Sequence, residues 1–265
     1  MLGLQNLVNI DYTKLDKAEQ KIRLKHLGIW QDETNRFLAN AFKEAVELIE
    51  DGIEPHITFP MSKLARKTAE ESFAYFYTFF YDLCEETKPK QKRKKPKKEF
   101  VDEIVSYMDV YNANKMRELT NKLKAEAYLA VERQVYELED RILQILLFIA
   151  NTFIPRSAVF VIASGMNGAL IQLAKDILEA RGLPTETVYF KWKAVLDPAT
   201  CERCWIRHDR IISSANPLFI TIAPPVHPFC RCVLEPVYGE NIEEDSWDDV
   251  IGMPTDFPRT WYQRI

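Results

Sequence analysis

Glycine is scarce in this chain, with 8 residues among 265. Few glycines beside abundant Lys, Glu, Leu and Ala favour a mainly helical protein. Hydrophobic residues make up 47% and charged residues 28%, which excludes wholesale disorder. The formal net charge of −4 is small, so composition alone does not indicate a nucleic-acid partner. A chain of this length can bury a sizeable core, in one large domain or two smaller ones.

No hydrophobic run is long enough to cross a bilayer. The longest, Ile142 to Ile154, contains Gln144 and Asn151. It is shorter than the roughly 20 residues that about 30 Å of hydrocarbon requires. The N-terminus also lacks the basic and apolar pattern of a signal peptide. We therefore expect a soluble protein without a membrane partner, made in the cytoplasm, in which this run is a buried helix end.

Cysteine is rare, yet four of the five cysteines fall between positions 201 and 232, and Cys84 stands alone. A tight cluster with a CxxC, in a chain without an export signal, is typical of metal ligation rather than of disulfides. The cluster consists of a CxxC knuckle and a downstream HxxCxC, which together provide Cys201, Cys204, His227, Cys230 and Cys232.

These five side chains are candidates for the four corners of a tetrahedral structural Zn²⁺ site. We expect Cys201, Cys204 and Cys230 as ligands, with either His227 or Cys232 as the fourth and the remaining group bonded to a ligand sulfur. The alternative is a reduced cluster or a disulfide beside a structural His227. His208, followed by Asp209, is interpreted as a surface pair.

Common catalytic motifs are absent: the sequence has no Walker loop, no GxSxG and no HExxH. Four available protein ligands also leave the zinc no evident open position for water or substrate. We therefore expect no enzymatic activity. A zinc-containing nuclease that uses His208 or His227 as a base is the less favoured alternative.

The hydrophobic pattern predicts an α+β fold with a mainly α-helical N-terminal region and a small zinc-stapled β-containing module near the C-terminus. Residues 1–87 form a helical region in which a stretch with seven aromatic residues, Phe73 to Tyr81, must be packed on several sides. Residues 99–154 form a long helix or a helical hairpin, interrupted around Asn112 to Asn114 and ended by Pro155.

After Pro155 the pattern changes. Residues 155–238 predict a short apolar segment, a helix from about Asn167 to Ala180, and a strand that buries Val188, Phe190, Trp192 and Ala194. Residues 239–265 are acidic at first and then contain Pro and Trp, and we expect an extended arm over another surface.

A basic segment, Lys88 to Lys98, separates the two helical regions. Its cations are Lys88, Lys90, Lys92, Arg93, Lys94, Lys95, Lys97 and Lys98. Two prolines and self-repulsion predict an exposed, flexible linker or loop. The alternative is a patch for DNA phosphates, and with it a nucleic-acid-binding zinc protein.

The stretch from about Ala163 to Pro236 resembles the phage Mu F-like head-morphogenesis family of minor capsid proteins. That family has a lysine–tryptophan strand, an aspartate before TCxxC, and a closing PPxHPxCRC. The matching residues here are Lys191-Trp192, Asp197, Thr200-Cys201, Cys204, Pro224-Pro225, His227-Pro228 and Cys230-Arg231-Cys232. The chain departs from the family at Ile162 to Asn167, where relatives often have Arg-Thr-Glu, and at His208 to Arg210, where they usually have Gly.

The resemblance implies a virion structural protein of a tailed phage. Such a protein is made in the host cytoplasm and binds the portal or the major capsid protein in multiple copies. It acts in head assembly, DNA retention or DNA delivery, and double-stranded DNA is a further expected partner. A zinc-containing nuclease or a phage-derived toxin is the remaining alternative.

Overall fold

Four long helices carry most of the chain in the computed structural model, which describes residues 5–8, 10–51, 55–84, 88–133, 138–185, 188–198, 200–227, 230–239 and 242–249. They are α1 (Tyr12–Asp51), α2 (Met61–Asp82), α3 (Lys98–Arg133) and α4 (Leu138–Ala180). Two short helices, α5 (Glu202–Trp205) and α6 (Phe219–Ile222), lie between strands of a small sheet. The expected α+β class is confirmed, with a long helical region and a small sheet formed mostly by C-terminal strands.

Helix α2 contacts all three of the other long helices, α4, α3 and α1. Its aromatic side chains point in several directions: Phe73, Phe76, Tyr77 and Phe80 are buried, and Phe79 is partly buried against the same core. The prediction that this helix is packed on several sides is confirmed. A helix that is apolar nearly all round is stable only when neighbours cover each face.

Both predicted helix breaks are wrong. Pro155 lies inside α4, which therefore also contains the apolar segment and the helix that were predicted separately. A proline inside a helix costs about 3 kcal/mol because it removes one backbone donor and crowds the preceding turn. Burial of Phe153, Ile154 and Ala158 around it outweighs that cost. Asn112 lies inside α3, where its side chain donates to the Phe59 carbonyl at 3.1 Å.

Helices α3 and α4 lie antiparallel. Tyr107 contacts Phe160, and Tyr111 contacts Phe153, while Arg141 pairs with Glu126 further along. By length and composition alone α4 could cross a membrane, but most of its most apolar 18-residue window is buried inside the chain. A core helix has the same composition, so this finding is weak support for a membrane span.

The sheet has the order β1-β4-β2-β3, and every neighbouring pair is antiparallel. Its strands are β1 (Gln5–Asn6), β2 (Tyr189–Lys193), β3 (Ile211–Ser213) and β4 (Val233–Tyr238). The alternation predicted for β2 is confirmed, since Val188, Phe190, Trp192 and Ala194 are all buried. Strand β1 was not predicted, because residues 1–87 were expected to be helical.

The first part of the predicted C-terminal arm lies along β3. The backbone amide of Asp245 donates to the Ile211 carbonyl at 3.1 Å, and Trp247 is buried. Arg210 forms a bidentate ion pair with Asp249 at 2.5 and 2.6 Å. Residues 242–249 therefore cover one edge of the sheet, while the remainder of the arm, from residue 250, falls outside the described residues.

Candidate metal centre

The CxxC knuckle is built on the single turn of α5. Cys201 has extended backbone angles and precedes the helix, and the amides of Cys204 and Trp205 both donate to its carbonyl at 3.0 Å. Residues three apart on one helical turn face the same side. The turn therefore directs the sulfurs of Cys201 and Cys204 toward one point.

The second half of the cluster lies on the approach to β4. The amide of Cys230 donates to the His227 carbonyl at 3.2 Å, and Cys232 directly precedes the strand. The side chains of His227, Cys230 and Cys232 thus lie toward α5. All five predicted ligands meet here, in two groups that share Cys204: one with Cys201 and His227, the other with Cys230 and Cys232.

The distances suit one small cation. The Cys204 and Cys230 sulfurs are 3.8 Å apart, and metal–sulfur bonds of about 2.3 Å in a tetrahedron place two sulfurs roughly 3.8 Å apart. The His227 Nε2 lies 3.1 Å from the Cys201 sulfur and 3.0 Å from the Cys204 sulfur. Ligation would move this nitrogen away from each sulfur by about 0.5 Å. The cluster can therefore hold a metal ion with small adjustments.

The pKa values of the clustered cysteines depend on their contacts with one another. Burial raises the pKa of the Cys230 thiol, but hydrogen bonds from Cys204 and Cys232 and the nearby His227 outweigh burial and bring that pKa well below its usual range. The pKa of Cys204 is raised mainly by its hydrogen bond with Cys230, and that of Cys232 mainly by burial. The three sulfurs thus form one hydrogen-bonded group.

A buried cation lies beside the cluster. Arg207 is 1% exposed, its Nη1 donates to the Arg203 carbonyl at 2.5 Å, and its guanidinium is 5.7 Å from the centre of the Trp192 ring. Burial lowers the Arg207 pKa, whereas the negative charge of the four clustered cysteines raises it. Among the described residues its Nε has no hydrogen-bond partner. A buried charge without an opposite charge is costly, and the cysteine cluster is the source of the negative charge that raises the Arg207 pKa.

An ion pair joins the two halves of the cluster. Arg231, between Cys230 and Cys232, donates to both carboxylate oxygens of Asp197 at 2.7 Å. Asp197 also begins the turn into the knuckle, since its carbonyl accepts from the Thr200 amide at 2.9 Å and its own amide donates to the Thr200 hydroxyl at 3.0 Å. This pair fixes the CxxC turn relative to the segment before β4 that carries the other ligand candidates.

Helix α4 contacts the backbone next to the cluster through Asn167, which is completely buried. Its side-chain amide donates to the Cys232 carbonyl at 3.2 Å, and its oxygen accepts from the Leu234 amide at 3.0 Å. The Asn167 side chain thus makes the backbone hydrogen bonds that a neighbouring strand would otherwise make to the start of β4. Sequence reasoning assigned no role to Asn167, to Arg207 or to the Asp197–Arg231 pair. Of these residues, only Asp197 and Arg231 could have been identified from the sequence, because both belong to the motifs that flank the ligand candidates.

Little space remains around the cluster. A cavity of about 20 Å³ borders Cys201, Cys204, His227, Arg231 and Cys232. That volume suits about one water molecule, whereas pockets for small-molecule ligands have about 300–1,000 Å³.

Two other candidates do not belong to the site. The Nδ1 of His208 accepts from the Ala194 amide at 3.1 Å, and its Nε2 lies 3.3 Å from Asp209, in agreement with the expected pair. Cys84 is buried at the end of α2, where its thiol donates to the Phe80 carbonyl.

The basic segment is tied to the protein rather than free of it. Lys94 binds Asp176 at 2.7 Å, Lys92 binds Asp82 at 2.7 Å, and Lys98, the first residue of α3, binds Asp102 at 2.5 Å. These three lysines thus lie beside carboxylates of the helical region. Each is held because a carboxylate on α2, α3 or α4 lies within reach.

No protein-family model, curated protein or solved structure matches this chain.

Proposed function

We propose that the cysteine and histidine cluster is a structural Zn²⁺ site with Cys201, Cys204, His227 and Cys230 as ligands. Zinc favours thiolate and imidazole ligands in a tetrahedron, and four protein ligands close its coordination. Cys232 then lies beside the ligand sulfurs as a hydrogen-bonding neighbour. The Arg207 charge balances the excess of thiolates over the charge of the ion. The small cavity and the engaged His208 ring favour a structural role over a hydrolytic one.

Metal analysis tests this site. The purified protein should contain one zinc per chain, and Cys201→Ser or Cys230→Ser should release it and unfold the region around residues 185–237. Cys84→Ala is the matched control, since its thiol is buried away from the cluster. Full zinc occupancy and unchanged melting in a Cys201→Ser, Cys230→Ser double variant would reject the site.

We further propose that the chain is a minor capsid or head-morphogenesis protein of a tailed phage, bound to the portal or major capsid protein in the virion. The observation that carries this proposal is the convergence of the motif residues. Asp197, Arg231 and the five ligand candidates come from separate parts of the sequence and meet in one unit. These residues occur along the chain in the order of the Mu F-like pattern. Their contacts with one another in the fold explain why the pattern would contain them.

The antiparallel pair α3 and α4 offers a surface for such a partner. Where these helices extend toward their connection they expose apolar side chains: Tyr128 is 71% exposed and Phe148 is 61% exposed, with Leu143 and Leu147 nearby on α4. A cavity of about 320 Å³ between the helices borders Phe148 and Arg141. Aromatic side chains at such a surface are typical anchors of protein interfaces.

Co-expression with the portal protein of the phage genome that contains this chain's gene tests the assignment. We expect a complex of defined stoichiometry in gel filtration and mass spectrometry, and Phe148→Glu should weaken it at least tenfold. Leu24→Glu is the control, because Leu24 is 74% exposed on α1, away from this surface. Failure to bind either portal or major capsid protein, together with a gene neighbourhood that lacks terminase and portal genes, would overturn the proposal.

A further inference from the structure

The path of the basic segment is fixed by a buried network on α4. Asp176 accepts from Lys94 at 2.7 and 2.9 Å, from the Tyr77 hydroxyl at 2.5 Å and from Gln172 at 2.9 Å. Its side chain is only 11% exposed. A carboxylate with this many donors is a rigid acceptor, so Lys94 has a defined position on the surface of the helical region.

Other contacts hold the segment on both sides of Lys94. Pro89 is buried, and its carbonyl accepts from the Tyr81 hydroxyl at 3.2 Å. Lys88 lies 5.5 Å from the centre of the Tyr81 ring, while Lys92 and Lys98 have the ion pairs given above. Four of the eight cations therefore have partners within the chain, and Lys94, paired with the largely buried Asp176, is the main anchor.

The other four cations point to solvent. Lys90, Arg93, Lys95 and Lys97 are exposed, and none of them pairs with a carboxylate of the described residues. The anchoring lysines already neutralise Asp82, Asp102 and Asp176. Glu179 and Glu99 are the exposed acidic neighbours on α4 and α3. A concentrated positive surface thus lies on a chain whose net charge is −4.

We propose that Lys90, Arg93, Lys95 and Lys97 form a binding surface for the phosphate backbone of double-stranded DNA. The surface has closely spaced cations and no exposed large hydrophobic side chain between them. Protein interfaces are depleted of lysine and use aromatic anchors, whereas regularly spaced phosphates are bound by such cations without base contacts. Binding is independent of sequence and strongly dependent on salt. Because the anchors hold the segment in place, little chain entropy is lost on binding.

The test is fluorescence anisotropy of a mixed-sequence DNA duplex with the full chain at increasing NaCl. Each phosphate contact contributes about −0.9 to the slope of log K against log salt concentration, so four contacts predict a slope near −3.6. The variant K90Q/R93Q/K95Q/K97Q should lose most of the affinity and bring the slope close to zero.

The control variant K17Q/K63Q/K67Q/R117Q removes the same charge from exposed positions on α1, α2 and α3. It should keep the slope and nearly all of the affinity. Equal loss in both variants, or no measurable binding by the unaltered protein at low salt, would overturn the proposal. Equal competition by polyglutamate at matched charge concentration would also overturn it, in favour of an acidic protein partner. These outcomes are independent of the portal experiment, whose surface lies on α3 and α4.

Discussion

Single residues around the cluster differ in how far the sequence could predict them. The five ligand candidates were predicted because CxxC and HxxCxC are spacings that few other constraints produce. Arg207 could not be predicted, since one arginine among 35 basic residues carries no pattern. Its role follows only from its burial beside the cysteine cluster. That burial depends on how α5 packs against β2.

Replacement of Arg207 should weaken metal binding. In Arg207→Met the thiolates lose a buried counter-charge, and we expect a 10- to 100-fold lower zinc affinity, the range typical for residues that support metal ligands. Competition with a chromophoric chelator measures this affinity. Arg207→Lys keeps the charge and should recover much of it; equal affinities in all three proteins would show that the charge does not act on the ion.

The Asp197–Arg231 pair should act on the metal site more than on global stability. Its side chains are 35% and 32% exposed, and a pair of this exposure contributes about 0–1 kcal/mol to folding. We expect Asp197→Asn and Arg231→Gln each to lower zinc affinity with little change in the melting temperature of the metal-free protein. The double variant Asp197→Arg, Arg231→Asp restores opposite charges and should recover part of the affinity. Additive losses in that variant would contradict a specific pairing.

At the scale of secondary-structure elements, the type of an element was easier to predict than the residues at which it begins and ends. The aromatic residues of α2 and the alternation of β2 are local patterns, and both were interpreted correctly. Local preference disfavours proline inside a helix and so predicts a helix end at Pro155. Helix α4 nevertheless continues through this residue because of its contacts with α1, α2 and α3. Interactions between distant residues override a single unfavourable residue when a long apolar helix is buried.

Close packing of α2 against α4 should make Gly165 sensitive to substitution. A Cβ at Gly165 would lie 2.9 Å from the Ser72 Cβ and 3.1 Å from the Phe73 amide nitrogen, so Gly165→Ala should lower the free energy of unfolding by about 1–3 kcal/mol. Gly28→Ala in α1 meets nothing within 4 Å and should raise it by about 0.5–1 kcal/mol. Chemical denaturation of both variants measures the difference. A stabilising Gly165→Ala would contradict the close approach of the helices.

At the scale of the whole molecule, removal of the metal should affect the sheet and spare the helices. One hydrophobic core continues from the helices into the sheet, but the loops between β2 and β4 are joined to one another at the cluster. Chelation at neutral pH should therefore increase hydrogen exchange across residues 188–239 and leave most of the far-ultraviolet helical signal. Unchanged exchange in that region, with the metal confirmed absent, would show that the sheet is stable without it.

Strand β1 pairs Gln5 and Asn6 with Val237 and Tyr238 of β4, so the sheet joins residues from nearly opposite ends of the described chain. During synthesis on a ribosome, the N-terminal segment emerges long before its partner strand exists. The four helices can form in the meantime, because their contacts are available earlier. The unpaired segment must remain extended and accessible until translation reaches β4. The nascent chain is therefore open to wrong strand pairing throughout this interval, and chaperones that shield short extended segments should improve its yield.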